Sequence, residues 1–133
     1  MKTIKGKQLD HFPISDLQKV SDLIYFDGPF LSLFKNRDGD NYLYCWCDVD
    51  EARNRWLVFR ISNRQLNSYL RKQTTLKDLL LNPSDGFLYS VDIDNDLNMH
   101  NVRIIEPKEL PSDYVPDQDS YYEFTPVAVR TND

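Results

Sequence analysis

Strict alternation of apolar and polar or aromatic positions dominates the middle of the chain. In FLSLFK (30–35), Phe30, Ser32 and Phe34 fall on one side of an extended strand and Leu31 and Leu33 on the other; NRDGDN, with Gly39, then supplies a turn. NYLYCWCDV (41–49) sends Tyr42, Tyr44 and Trp46 one way and Leu43, Cys45, Cys47 and Val49 the other. RWLVFRI (55–61) repeats the pattern, with Trp56, Val58 and Arg60 opposed to Leu57, Phe59 and Ile61. Short polar connections make these three strands a meander. Upstream, LIYF (23–26) predicts a strand closed by the turn Asp27-Gly28-Pro29. Leu9, Phe12, Ile14, Leu17 and Val20 follow no clean period and read as an irregular apolar edge or a short helix after Pro13.

After Ser62 the period lengthens. Ser62 is placed to cap a helix over 63–72 whose Leu66, Tyr69 and Leu70 form one stripe. Thr75 and Asp78 frame a second helical segment in TTLKDLLL, stopped by Pro83. GFLYSVDI (86–93) and MHNVRIIE (99–106) then predict a hairpin around an acidic turn. From 107 to 133, prolines, acids and tyrosines favour an extended wrap or tail, because proline removes backbone donors. The expected architecture is one α+β domain over 1–133: an antiparallel sheet of about five strands, with the helical pair packed on one face and the acidic C-terminal segment bordering it.

Composition narrows the chemistry. A chain of 133 residues can bury a core without staples, so Cys45 and Cys47 are expected as reduced thiols, their spacing along one strand being poor for a disulfide. No zinc-type spacing joins them to His11 or His100, and neither histidine sits in a recognisable acid–base constellation. A phosphate loop, a serine elbow and a paired metal-binding histidine motif are all missing, so no catalytic residue, cofactor or metal site is assigned and a non-enzymatic protein is expected. In the run Asp92-Ile93-Asp94-Asn95-Asp96, Leu97 stands where a calcium loop needs glycine and Arg103 where it needs glutamate, so the run reads as a hairpin turn. Read instead as a magnesium-holding group, it offers a metal-dependent phosphohydrolase as one alternative, which needs further ligands from elsewhere. No apolar run is long enough to cross a bilayer and MKTIKGKQLDHF lacks the apolar centre of a secretory signal, so a cytoplasmic location without membrane attachment is expected.

Sixteen cationic residues against twenty-one acids give a net charge of −5, which opposes duplex DNA binding. The charges are not evenly spread. Residues 53–77 carry seven cations and no acid, whereas 78–123 carry eleven acids against Arg103 and Lys108. Two recognition surfaces follow. The first is an acidic aromatic surface for a protein partner: Glu106, Glu109, Asp113, Asp117 and Asp119 supply charge, and Tyr114, Tyr121 and Tyr122 supply anchors. The second sets Tyr42, Tyr44, Trp46 and Trp56 beside Arg53, Arg55 and Arg60 as stacking faces and donors for a nucleotide or cyclic nucleotide. The plainer reading of the second set is packing against the helices or the C-terminal wrap; that of the first is a solvated tail.

The strings FDGPFLSLF, NRWLVFRIS and ELPSDYVPDQDSYYEF together resemble a small uncharacterised bacterial domain family of unknown function, over residues 22–124 or so. That resemblance implies no activity and no site residue; such domains resemble accessory proteins of mobile-element or phage-conflict systems. The expected function is therefore a binding protein that occludes or regulates a protein partner, with nucleotide sequestration as the alternative.

Overall fold

Leu43, Leu57, Phe59, Leu80 and Leu88 have no exposed surface, and the strands that carry the first three lie at the middle of the sheet. The computed structural model describes residues 1–25 and 27–123, so Phe26 of the LIYF run and residues 124–133 of the C-terminal segment lie outside the described residues. Among the described residues seven strands are formed: β1 (Lys7–Gln8), β2 (Gln18–Tyr25), β3 (Pro29–Lys35), β4 (Asn41–Val49), β5 (Arg53–Ile61), β6 (Leu88–Asp94) and β7 (Met99–Ile105). Between β5 and β6 lie α1 (Asn63–Leu70) and α2 (Leu76–Leu81); after β7 come 3₁₀ turns at Pro107–Glu109 and Ser112–Tyr114. All pairings are antiparallel, in the order β1-β7-β6-β5-β4-β3-β2.

The meander, helical pair and hairpin are as the periodicity predicts. The count of about five strands falls short at both edges. β1 is two exposed residues held by main-chain pairing to Ile104 and Arg103. β2 starts at Gln18 rather than Leu23, its polar first half pairing with Lys35 and Phe34. Ladder hydrogen bonds come from the backbone, so an edge strand needs no apolar pattern to form. Among the described residues no helix is long and apolar enough to cross a membrane.

The helices take the face of Leu31, Leu33, Leu43, Leu57, Phe59 and Ile61, which packs with Leu66, Tyr69, Leu79 and Leu80. Helix α1 begins with a full capping box: the Ser62 hydroxyl accepts the Gln65 N–H (3.1 Å), and the Gln65 side chain accepts the Ser62 N–H (2.8 Å). The opposite face, with Tyr42, Tyr44, Val58, Val91 and Val102, is covered among the described residues by neither helix nor C-terminal segment. Its cover is the N-terminal stretch, where Leu9, Phe12, Ile14 and Leu17 pack down and Phe12 meets the Tyr89 ring edge-on at 5.4 Å. The irregular spacing of those four residues thus reflects a coil lid and not a helix. Gly6 sets the path into this lid: its φ is +129°, and a Cβ there would stand inside the van der Waals surface of Ile105 and 2.8 Å from the Ile104 carbonyl.

Candidate functional site

Past β7 the chain crosses the helix face. Leu110 and Tyr114 insert into the core, while Glu109, Asp113, Asp117, Asp119 and Glu123 face water. The segment is fastened to the start of α2: the Leu76 N–H donates to the Ser120 carbonyl (2.8 Å) and the Lys77 N–H to the Ser120 hydroxyl (3.1 Å). Tyr122 packs on Tyr69 with ring centres 5.4 Å apart. Between this segment and the end of the sheet lies a cleft of about 700 Å³. Its floor is apolar, from Ile24, Leu31, Cys45, Cys47 and Leu76, with Phe30 and Trp46 at its side, and its rim carries Asp113, Asp117, Asp119 and Glu123. Among the described residues that line it there is no lysine or arginine.

The expected acidic surface is therefore divided. Asp113, Asp117, Asp119 and Tyr121 share the cleft, and Tyr121 is half exposed. Glu106 and Glu109 sit apart, on the 3₁₀ turn that they cap, where the Glu109 carboxylate accepts the Glu106 N–H (2.9 Å) and Lys108 lies 3.6 Å from Glu106. Tyr122 is partly buried against Tyr69. Tyr114 gives the cleft wall only its ring, because its hydroxyl is engaged below. Leu76 and the two cysteines belong to the floor, and nothing in their local spacing marks them for it. Burial pushes the Cys45 thiol up to about 12 and the Cys47 thiol up as well, so both are protonated, inert wall at neutral pH.

Under that wall is a buried polar network. Asp48, Arg55 and Asp92 occupy one cross-strand row of β4, β5 and β6. Arg55 donates from Nε to Asp92 Oδ1 (2.7 Å) and from Nη2 to Asp92 Oδ2 (3.0 Å). Its Nη1 donates to the Tyr114 hydroxyl (3.2 Å) and to the Lys2 carbonyl. Tyr114 in turn donates to Asp48 Oδ2 (2.6 Å), and Asn101 donates to Asp92 Oδ2 (3.0 Å). Burial by itself would lower the Arg55 pKa; the Asp92 carboxylate outweighs it and holds the guanidinium charged. A bulge between Trp46 and Asp48 makes the row possible, since the extra residue lets both Cys47 and Asp48 turn toward the helix face.

The aromatic and arginine set is split between faces. Arg55 is buried on the helix side, and Arg53 shares its parity on β5. Tyr42 and Tyr44 are buried on the other side, and Arg60, paired across from Tyr42, reaches Asp40 at 2.9 Å. Tyr44 and Trp56 remain together at a second cavity of about 340 Å³ under the β6–β7 turn, with Phe34 completing a run of rings. A third hollow, about 680 Å³, lies between the N-terminal lid and β7 and is lined by both His11 and His100; His100 Nε2 is 2.7 Å from Asp94 Oδ2. Of the acidic run, Asp92 is sealed with Arg55, and among the described residues no three His, Cys, Asp or Glu side chains converge as a metal-ligand set.

A family model described as a family of unknown function (DUF6575) matches residues 17–123, which is most of the chain. The chain belongs to this family. The DUF6575 match runs from just before β2 to Glu123, so it takes in six of the seven strands among the described residues, both helices and the acid-rimmed cleft, and leaves β1 and all of the N-terminal lid before Leu17 outside. A search of curated proteins and a search of solved structures each give no match.

Proposed function

We propose that the protein is a non-enzymatic intracellular binding protein whose acid-rimmed cleft receives an extended, lysine- or arginine-bearing segment of a partner protein and thereby occludes it. The observation that carries this reading is the lining itself: four carboxylates stand over an apolar floor with no cation among the described lining residues. Clustered carboxylates of one sign attract a cationic segment and steer its approach. The half-exposed Tyr121 offers an amphipathic anchor, and the apolar floor accepts alternate side chains of an extended peptide.

The test is fluorescence anisotropy with a labelled peptide alternating arginine and leucine, alongside a glutamate-for-arginine version. Binding of the cationic peptide is expected to weaken steeply with added salt. It should be lost in the double variant Asp117→Lys with Asp119→Lys, whose exposed positions leave the fold intact. Equal binding of both peptides, or undiminished binding by the double variant, rejects the reading.

A further inference from the structure

The turn that closes the β6–β7 hairpin is over-fastened. The Leu97 N–H donates to the Asp94 carbonyl (3.0 Å) and the Asp94 N–H to the Asn98 carbonyl (3.1 Å). Asp94 Oδ1 accepts the N–H groups of Asp96 and Asn98, each at 2.9 Å, and Oδ2 meets His100. Within this rigid frame Leu97 is held at φ +67°, left-handed backbone that glycine or asparagine adopts readily and a bulky side chain does not. Its side chain is 80% exposed, the most exposed large apolar residue described. A leucine in the wrong conformation and in the wrong solvent marks a position kept for contact with something else. Leu97 lines the cavity of about 340 Å³ that also holds Phe34, Tyr44 and Trp56.

The walls of that cavity define the occupant. The three rings lie at mutual tilts of 36° and 61°, a concave aromatic surface suited to one flat ring. Asn54 stands among them with its carboxamide oxygen taken by the Trp46 indole N–H (2.9 Å), which leaves its N–H groups as donors. Asn95, on the turn, brings a second carboxamide. Rings for stacking plus neutral donors and acceptors at the edge match a nucleobase better than an aliphatic or a charged ligand. The size is near the lower end for ligand cavities, room for a single nucleoside. A phosphate finds little here: the one cation among the described lining residues, Lys19, is already paired to Asp22 at 2.8 Å. Arg60, four residues along β5 from Trp56, stands about 13 Å away along the strand. With a net charge of −5, a polyanionic strand is disfavoured too.

We infer that the cavity under the β6–β7 turn is a nucleoside site, in which a nucleobase stacks against the partly exposed Trp56, with Phe34 and Tyr44 as the wall behind, is read at its edge by Asn54, and is capped by Leu97. The site lies on the sheet face opposite the acid-rimmed cleft, so either can fail without the other. Isothermal titration of the full chain with the four ribonucleosides, their 5′-monophosphates and a short oligodeoxythymidine tests it. Saturable heat with at least one nucleoside is expected, with the matching monophosphate within about twofold of it. Leu97→Asn should weaken binding by about tenfold through loss of the apolar cap. Its thermal midpoint should be unchanged or raised, since asparagine tolerates the left-handed backbone. The assignment is overturned by silence from every nucleoside up to about 10 mM, well past the weakest useful affinity. It is equally overturned by unaltered binding in Leu97→Asn, or by a monophosphate or the oligonucleotide binding more than about tenfold tighter than the nucleoside.

Discussion

Arg55 sits almost without water between four acceptors, and Asp92 beside it has no exposed surface at all. An arrangement of this kind stabilises little relative to a well-packed apolar pair, yet leaving one member alone is costly, because a buried charge then has no partner. Asp92→Ala is expected to lower unfolding free energy by about 3–5 kcal/mol in urea titrations, whereas Arg55→Met combined with Asp92→Leu should regain most of the loss. A double variant no better than the single one would contradict this. Two carboxylates, Asp48 and Asp94, bring acid sensitivity. The Tyr114 hydroxyl donating to Asp48, and His100 with backbone N–H groups at Asp94, hold both below the usual carboxylate value. A lowered folded-state pKa means that the stabilisation is complete above the unfolded value of about 4 and is lost as pH falls through the lowered one. Stability should therefore be level from neutrality to about pH 5 and drop below about pH 4. Asp48→Asn should flatten that drop; parallel profiles for variant and parent would show that Asp48 plays no part.

The N-terminal lid is the least conventional element, since a coil does for one sheet face what two helices do for the other. Phe12 is half buried against Tyr89, so Phe12→Ala should cost about 2 kcal/mol. Deleting residues 1–17 should expose Tyr44, Val58 and Val102 and show as dye binding and self-association. A deletion variant that stays monomeric and binds no dye would mean the lid is dispensable. This element also shows where sequence reading stops. β3 to β7 and α1 declare themselves through period and caps, because each has a buried face and Ser62 meets Gln65 within one turn. Leu9, Phe12, Ile14 and Leu17 have no period to detect, because their partners lie on distant strands. β1 is two polar residues tied to β7 by main-chain pairing and by the Arg103 guanidinium donating to the Gln8 side chain (3.4 Å). Likewise Arg55 and Asp92 are 37 residues apart, and a bulge with no local signature brings Asp48 into their row. The carboxylates of the cleft are plain in the sequence, while its floor belongs to other strands.

For the molecule as a whole, the seven-cation block and the eleven-acid block meet at the buried Arg55–Asp92 pair. Folding pairs part of the cationic block: Arg55 is neutralised by Asp92 of the acidic block and Arg60 by Asp40, which lies outside it. What survives as a concentrated field among the described residues is local, at Asp117, Asp119 and Glu123 on the rim of the cleft, since Asp113 is paired with Lys2. Surface charges act within roughly a Debye length, so it is this local density that a partner meets, more than the net charge.

The Lys2 main chain donates to the Tyr114 hydroxyl and its ammonium rests 3.1 Å from Asp113, which fixes the start of the fold at the lip of the cleft. Anything spliced ahead of Met1 emerges there. On the proposed reading of the cleft, a cationic purification handle in that position is a tethered competitor at about millimolar effective concentration. On that reading, fusions made for partner capture are to be cleaved beforehand, so that the handle does not fill the cleft.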